Sequence, residues 1–315
     1  MDTPIIVLGM HRSGTSLLAE AVHRWGAYAG YGKDLLEAGK SNARGFWEFE
    51  PLVSFNKLLL TSLDSDWCLP PPHEAEPMLV RRAAEAWFRT RAAYLISRMQ
   101  AAGKPWFWKD PRLCILLPFW KQFLNPVYVV TVRRPTETAL SLCKRNGMPT
   151  SAGLLLWQYY MLSLVRHTRR ARRIIFVRYD ALVSGSEQEF VRLRDFLDNH
   201  CGGAGPSSNL SENADSSADR LKKMMSVAEP ELNHNGRDVT TTCCSLTRDQ
   251  LRLQNFLEMR VTSPDAKSGL RGCELYPGWR EYLAVCYTLR SMPLLSRDLE
   301  GMFDSRFSTD VNFPA

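Results

Sequence analysis

The sequence predicts a three-layer α/β fold in which helices flank a central parallel β-sheet. Three short apolar runs, residues 4–9, 127–132 and 174–179, have the composition of buried parallel strands. Helical patterns separate these runs along the chain. Strands that alternate with helices are typical of a parallel sheet covered on both faces.

Each helix is predicted from apolar residues that recur on one face. The helix after the first run is indicated by Leu17, Leu18, Ala21, Val22 and Trp25. A helix before the third run is indicated by Leu154, Trp157, Met161 and Leu164. A helical stretch over residues 77–102 is indicated by Ala84, Trp87, Phe88 and Leu95.

The length and composition favour one large domain that spans residues 1–315. With 45% hydrophobic residues and 9 tryptophans, the chain has ample material for a core. Residues 201–219 are rich in Gly, Ser, Asn and Asp, which predicts a flexible loop or an insertion within the domain.

The charge balance favours anionic partners. The chain has 40 basic and 33 acidic residues, a net charge of +7. The basic run at residues 166–173 predicts a solvated helix face, and we expect no nucleic-acid partner because no aromatic residues are interleaved for base stacking. No apolar run is long enough for a membrane span and no leader pattern opens the sequence, so we expect a cytoplasmic protein. The 8 cysteines lack metal-ligand spacing, so we expect free thiols and no metal site.

Residues 9–16, GMHRSGTS, lie between the first strand and the first helix, the context and spacing of a phosphate-binding P-loop. Thr15 occupies the position of the lysine that an NTPase loop carries there. A helix N-terminus binds anions through its unpaired N–H groups, and Gly14 allows close approach of the backbone. Hydroxyl donors come from Thr15 and Ser16, and a positive charge comes from Arg12. The fold is therefore predicted to be P-loop-like.

A second phosphate-binding feature follows the second strand. Arg133 comes directly after the strand and Ser141 eight residues later, with Thr136 as the candidate N-cap of the intervening helix. Eight helical residues span about 12 Å. Arg133 and Ser141 can therefore grip one phosphate only if this helix leans back across the strand end.

Together these residues resemble the sulfotransferases that use 3′-phosphoadenosine 5′-phosphosulfate (PAPS) as donor. The resemblance implies that Arg12, Ser13, Gly14, Thr15 and Ser16 hold the 5′-phosphosulfate. It implies that Arg133 and Ser141 hold the 3′-phosphate. PAPS is then the donor and 3′-phosphoadenosine 5′-phosphate (PAP) the product, with no metal required.

Three more segments carry the resemblance, which runs from about residue 4 to residue 182. Residues 177–182 (VRYDAL) are similar to a family segment whose tyrosine, here Tyr179, lies near the adenine. Residues 42–48 (NARGFWE) and 108–112 (WKDPR) are similar to segments of bacterial-type members. The C-terminal Arg-Lys-Gly segment of cytosolic members has no clear copy, and Arg271-Gly272 is too short a match.

Sulfuryl transfer to a hydroxyl needs a base for the acceptor proton. Glu48 is the first candidate, because the rings beside it in the sequence can exclude water. Its alternative role is a solvated or helix-capping acid. His11 is the second candidate base, with local packing as its alternative role, and His73 and Asp110 are weaker ones.

Two basic side chains, Lys109 and Arg112, flank Asp110-Pro111. They are candidates for contacts with the bridging phosphate oxygen or with an anionic acceptor. A structural ion-pair cluster is the equal alternative. Arg12 and the loop amides supply electrostatic stabilisation of the transferring group.

The sequence thus favours in-line sulfuryl transfer from PAPS to a hydroxyl-bearing acceptor, either a glycan, a lipid or a small molecule, and the basic surface favours an acidic one. One alternative is a P-loop kinase that uses ATP and Mg²⁺, with Asp180 after the third strand as the candidate metal carboxylate. The other is a protein that binds nucleotides or polyanions without catalysis.

Overall fold

A computed structural model describes residues 3–30, 32–36, 45–201, 216–228, 245–262 and 280. Within these residues the strands are β1 (Pro4–Leu8), β2 (Trp106–Lys109), β3 (Val127–Val132) and β4 (Ile174–Arg178). The helices are α1 (Thr15–Trp25), α2 (Glu50–Thr61), α3 (Glu76–Ala84), α4 (Ala86–Gln100), α5 (Leu113–Trp120), α6 (Pro135–Asn146), α7 (Thr150–Thr168), α8 (Tyr179–Val183), α9 (Glu187–Cys201), α10 (Ser217–Met225) and α11 (Arg248–Thr262).

The four strands form one parallel sheet in the order β2-β1-β3-β4. Residues of β1 pair on one side with β2, as Ile6 does with Trp108, and on the other side with β3, as Ile6 does with Tyr128. The parallel sheet flanked by helices confirms the predicted fold class. The sequence reading missed β2, a four-residue strand, WFWK, that is buried throughout.

Alternate strand residues enter two separate cores, one on each face of the sheet. Ile6, Trp108 and Phe176 pack on one face with side chains of α2, α5, α7 and α11. Ile5 and Val7 pack on the opposite face with side chains of α1, α8, α9 and α10. Burial of each such side chain contributes roughly 1.5–3 kcal/mol. The strands are therefore apolar without alternation because both faces are covered.

Two of the helix predictions are confirmed and one needs correction. The predicted apolar faces of α1 and α7 are buried. The stretch predicted over residues 77–102 is two helices, because Glu85 adopts extended backbone between α3 and α4. Trp87, assigned to the apolar face, is 57% exposed at the start of α4.

The helix after β3 begins earlier than predicted. Pro135 is its first residue and Arg134 its N-cap, so Thr136 is not the cap. Proline suits this position because its fixed φ is helical and the N–H it lacks has no partner inside the helix.

Part of the predicted loop 201–219 is helical. Cys201 is the last residue of α9, and α10 begins at Ser217, where the hydroxyl of Ser216 accepts from the Asp219 N–H. Residues 202–215 lie outside the described residues, as do Arg271-Gly272 and the 42–44 part of the NARGFWE segment.

Two surface predictions concern the basic run and membrane spans. The run at residues 166–173 straddles the end of α7, and four of its arginines are exposed: Arg166, Arg169, Arg170 and Arg172. The predicted solvated face is confirmed for these residues. Across the described ranges, no helix combines the length and apolar character that a bilayer span demands.

Candidate active site

The loop at residues 9–14 leads from the carboxyl end of β1 into α1. Gly9, Arg12 and Gly14 all have positive φ, of 149°, 67° and 92°. The Ser13 hydroxyl donates to the Met10 carbonyl at 2.6 Å, and Thr131 Oγ1 of β3 donates to the Ser13 carbonyl at 2.9 Å. These bonds fix the loop against the neighbouring strand.

The N-terminus of α1 has the features of an anion-binding helix end. No side chain caps this end, and the first turn contains no acidic residue. The first N–H groups of a helix have no partner inside the helix and carry a partial positive charge. Thr15 and Ser16 add hydroxyls in this turn, as predicted; Thr15 is buried and Ser16 is partly exposed. An anion from outside would therefore complete the cap.

Tyr179 packs directly against Gly14. A Cβ added at Gly14 would lie 2.1 Å from Cδ2 of the Tyr179 ring, so only glycine fits there. The predicted strand 174–179 ends at Arg178, and Tyr179 opens α8 with 8% of its surface exposed. The structure thus brings Tyr179 to the loop, while its contact with adenine stays a prediction.

Arg133 and Ser141 converge on Arg12. Arg12 Nε donates to Ser141 Oγ at 2.9 Å, and Arg133 Nη1 donates to the Arg12 carbonyl oxygen at 2.9 Å. The Arg133 guanidinium lies 4.1 Å from the centre of the Tyr179 ring and pairs with Glu137 at 3.1 Å. The two predicted halves of the phosphate site are therefore adjacent, because α6 brings Ser141 back to the loop.

Burial and the positive charge of Arg133 both affect the pKa of Arg12. Burial lowers the pKa of Arg12, and the nearby Arg133 charge lowers it further. Two guanidinium groups that share a pocket repel each other, and an anion bound between them would relieve that repulsion. The arrangement is suited to a group with more than one negative charge.

Glu48 and Lys109 form a buried ion pair. Lys109 Nζ donates to Glu48 Oε1 at 2.6 Å, and the two side chains are 2% and 11% exposed. Glu48 precedes α2, whose N-cap is Phe49, and no side chain caps that helix. The helix-capping alternative for Glu48 is therefore wrong. The pair brings together two predicted site residues from different segments.

A second buried pair lies two residues further along the chain. Arg112 Nη1 and its backbone N–H both donate to Asp110 Oδ1, at 2.9 and 3.0 Å. Asp110 Oδ2 accepts from Asn56 Nδ2 at 2.9 Å, and Asn56 Oδ1 accepts from Trp120 Nε1 at 2.9 Å. The Asp110 carboxylate is thus engaged at both oxygens. It orients Arg112, which argues against Asp110 as the base.

His11 projects from the loop into an aromatic wall. Its ring centre lies 4.8 Å from that of Trp67 and 5.7 Å from that of Tyr160. Its Nε2 atom is buried, and no described residue forms a hydrogen bond with it. Burial lowers the pKa of His11 well below 6.5, and four cations lower it further: Arg112, Arg145, Lys109 and Arg12. The neutral imidazole is therefore the stable form.

Two other residues considered from the sequence, His73 and Asp180, and the buried Cys114 have separate surroundings. His73 stacks on Tyr159 at 4.6 Å, and burial lowers its pKa to about 4, as expected of a packed side chain. The Asp180 side chain is 67% exposed and lies 3.8 Å from Arg178. Cys114 Sγ accepts from the Gly9 N–H, and burial raises the pKa of its thiol to about 12, which keeps it protonated.

Sequence reasoning did not find Asn56, Trp67, Trp120, Arg145 or Tyr160. Trp67 and Tyr160 read as ordinary core aromatics, and Asn56 lies on a helix face that is otherwise apolar. An asparagine at a core position of an amphipathic helix was the one available signal, because buried amides need partners.

Comparisons with known proteins show which family this chain resembles. The model of the sulfotransferase family (Sulfotransfer_3) matches residues 4–200, more than half of the chain. No curated protein sequence matches. A solved structure, "Sulfotransferase Domain from the Curacin Biosynthetic Pathway", is similar with a TM-score of 0.44 and 15% identity, over 82% of this chain and 98% of that chain. On the family match, this chain belongs to the sulfotransferase family.

Proposed function

We propose that this protein transfers a sulfuryl group from PAPS to a hydroxyl-bearing acceptor. The observation that carries the proposal is the convergence of Arg133 and Ser141 on Arg12, within the phosphate-binding loop of a sulfotransferase-family chain. The donor has phosphate groups at both ends of its ribose. Two adjacent anion-binding features match such a nucleotide better than they match a single terminal phosphate.

The residues around the loop fit this donor. The uncapped end of α1 offers backbone donors and hydroxyls to the 5′-phosphosulfate, and Arg12 offers a cation. Arg133 and Ser141 are assigned to the 3′-phosphate. The glycine requirement at Gly14 keeps the backbone close to the anion. Tyr179 is assigned to the adenine side because its ring lies against the loop beneath Arg133.

Glu48 is assigned as the general base. Its carboxylate is held in a fixed position by the ion pair with Lys109. Lys109 occupies Oε1, and the described residues provide no hydrogen bond to Oε2. Oε2 then takes the proton of the acceptor hydroxyl as the new O–S bond forms and the S–O bond to the 5′-phosphate breaks. A positioned base contributes about 10²–10⁴-fold to the rate.

Lys109 and Arg12 are assigned to charge stabilisation. The donor supplies the sulfuryl group and leaves as PAP, so negative charge develops on the bridging oxygen. A buried ammonium beside the base and a guanidinium in the loop are fixed before the reaction, which makes them effective for this purpose. No metal is needed in this scheme.

His11 is the second candidate base. Its neutral imidazole has the protonation state that a base needs, and no described residue forms a hydrogen bond with its Nε2 atom. The cations around it disfavour the imidazolium that proton transfer would create, which ranks His11 behind Glu48.

Transfer of label tests the proposal. The protein is incubated with ³⁵S-labelled PAPS and an extract of the cells in which it naturally occurs. A parallel incubation replaces PAPS with γ-³²P-labelled ATP and Mg²⁺. We expect ³⁵S-labelled products that are absent from the extract without the protein. We expect the protein to add no ³²P-labelled products to those that the extract forms alone. Transfer of ³²P instead would establish the kinase alternative, and binding of PAPS without any transfer would establish the non-catalytic one.

A further inference from the structure

The strand order divides the site into two sides. The loop follows β1, which lies between β3 on one side and β2 on the other. Arg133 and Tyr179 follow β3 and β4, so the donor nucleotide is assigned to that side. Lys109 ends β2, and Arg112 follows it. The side next to β2 is therefore the part of the site that remains for the acceptor.

Arg112 is a rigidly held cation whose buried Nε–H is not used by the Asp110 pair. Its Nη1 and its backbone N–H are engaged by Asp110, which is itself fixed by Asn56 and Trp120. Its Nε–H is buried and forms no hydrogen bond with any described residue, and the whole residue is only 7% exposed. A buried, unpaired N–H on a charged group is costly because it has lost its hydrogen bonds to water without gaining a partner. Such a group indicates a ligand that completes it.

A second guanidinium contributes to the same wall. Arg145, at the end of α6, lies 5.8 Å from the centre of the Trp67 ring, and Trp67 packs against His11. Arg112, Arg145 and Lys109 all lower the pKa of His11 by their charge, so the potential at this wall is positive. Trp67 and Tyr160 add an apolar surface beside these cations.

We propose that the acceptor carries an anionic group, and that Arg112 and Arg145 bind this group while the acceptor hydroxyl meets Glu48. The acceptor class is then an alcohol with a carboxylate, phosphate or sulfate and with an apolar part that contacts Trp67 and Tyr160. Guanidinium groups suit these oxyanions because their N–H groups match the spacing of the anion's oxygens. This inference rests on the proposed sulfotransfer function.

Fractionated acceptor pools test the inference. The cell extract is separated on an anion exchanger at pH 7 before reaction, and each fraction receives the protein and ³⁵S-labelled PAPS. We expect the label to enter compounds from the retained, anionic fractions. Label that enters only unretained compounds would overturn the anionic acceptor and leave sulfotransfer standing. No label in any fraction, with intact PAP binding, would overturn both.

Variants then test the two arginines on the labelled acceptor. Arg145→Gln and Arg112→Lys are each expected to raise KM for the acceptor about 10- to 100-fold, with PAP affinity unchanged. The matched control is Lys144→Gln, which removes an exposed charge next to Arg145 and should leave KM unaltered. If KM for the acceptor is unchanged in Arg145→Gln, and also in Arg112→Lys provided that this variant folds, the assignment is refuted.

Discussion

The two sides of the loop at residues 9–14 arrange their cations differently. On the side of β3 and β4, Arg12 and Arg133 lie close together and contact a hydroxyl, a carbonyl and a ring, and Arg133 also pairs with Glu137. On the side of β2, Lys109 contacts its own buried carboxylate, Glu48. Arg112 likewise contacts Asp110.

We propose that this difference separates donor binding from the chemical step. Crowded cations repel one another until an anion arrives, so the side next to β3 and β4 gains most from a charged ligand. Paired charges in a buried place are already balanced and oriented. The side next to β2 is thus suited to hold a base and a cation in fixed positions, and the predictions below test this division.

The largest expected effect is on turnover when the candidate base is neutralised. Glu48→Gln keeps the shape of the side chain and removes its ability to take a proton. We expect kcat to fall about 10²–10⁴-fold with PAP affinity unchanged, as measured by initial rates and calorimetry.

The control for this variant is Glu50→Gln. Glu50 is exposed at the start of α2 and accepts from Ser54, so its neutralisation should leave kcat alone. Undiminished turnover in Glu48→Gln would move the base to another residue, with His11 next in line.

A large effect on stability is expected from Lys109→Met. The change leaves the Glu48 carboxylate buried without its partner, so the free energy of unfolding should fall by roughly 3–5 kcal/mol. Urea denaturation measures this loss. The double variant Glu48→Gln/Lys109→Met should recover most of it; a double variant no more stable than the single one would mean that the pair is not the source.

A moderate effect on stability and on PAP affinity is expected from a substitution at Gly14, where the loop contacts Tyr179. Gly14→Ala imposes a left-handed conformation on alanine and drives its Cβ into the ring of Tyr179. Gly26→Ala shares the positive φ, but a Cβ there meets nothing within 4 Å. Backbone strain costs roughly 1–3 kcal/mol in each, so Gly14→Ala should lose more stability and also PAP affinity. Equal losses in the two variants would refute the contact.

The smallest effect concerns the pKa of His11, which lies where the two sides meet. Removing a cation that lowers the pKa of His11 should raise that pKa. We expect this in Arg145→Gln and no change in Arg133→Ala, because Arg133 is not among the charges that lower the His11 pKa. An NMR titration of the imidazole measures both; equal shifts would contradict the division into two sides.

The same pKa has a consequence for stability. In the folded protein the pKa of His11 lies below its ordinary value of 6.5, so the unfolded chain takes up the proton first as the pH falls. Stability contributed by the neutral ring is complete above pH 6.5 and is lost below it. His11→Asn should therefore flatten the decline of stability with pH in that acidic window.

The sequence predicted the parts of the site that are local. The loop at residues 9–16 and the spacing from Arg133 to Ser141 are readable because a strand, a turn and a helix each have a period and a boundary. Three of the four strands were found in the same way. The fourth, β2, was missed because four aromatic and basic residues are too short a run to show strand periodicity.

The remainder depends on contacts between distant segments. Glu48 and Lys109 are 61 residues apart, and Asn56 reaches Asp110 across 54 residues. No local pattern specifies such pairs, since they arise only when α2 packs beside β2 and α5. For the same reason the roles proposed for Arg145 and Trp67 beside Arg112 could not be inferred before the fold was known.

The most direct test of the central claim is calorimetric titration with PAP. Wild-type protein should bind PAP without a metal ion, and Arg133→Ala/Ser141→Ala should bind it about 10²- to 10⁴-fold more weakly, because two hydrogen bonds to a charged group are lost. Arg134→Ala, which removes the exposed neighbouring arginine, should bind PAP as the wild type does. Absence of PAP binding in the wild type, or undiminished binding in the double variant, would contradict the donor assignment.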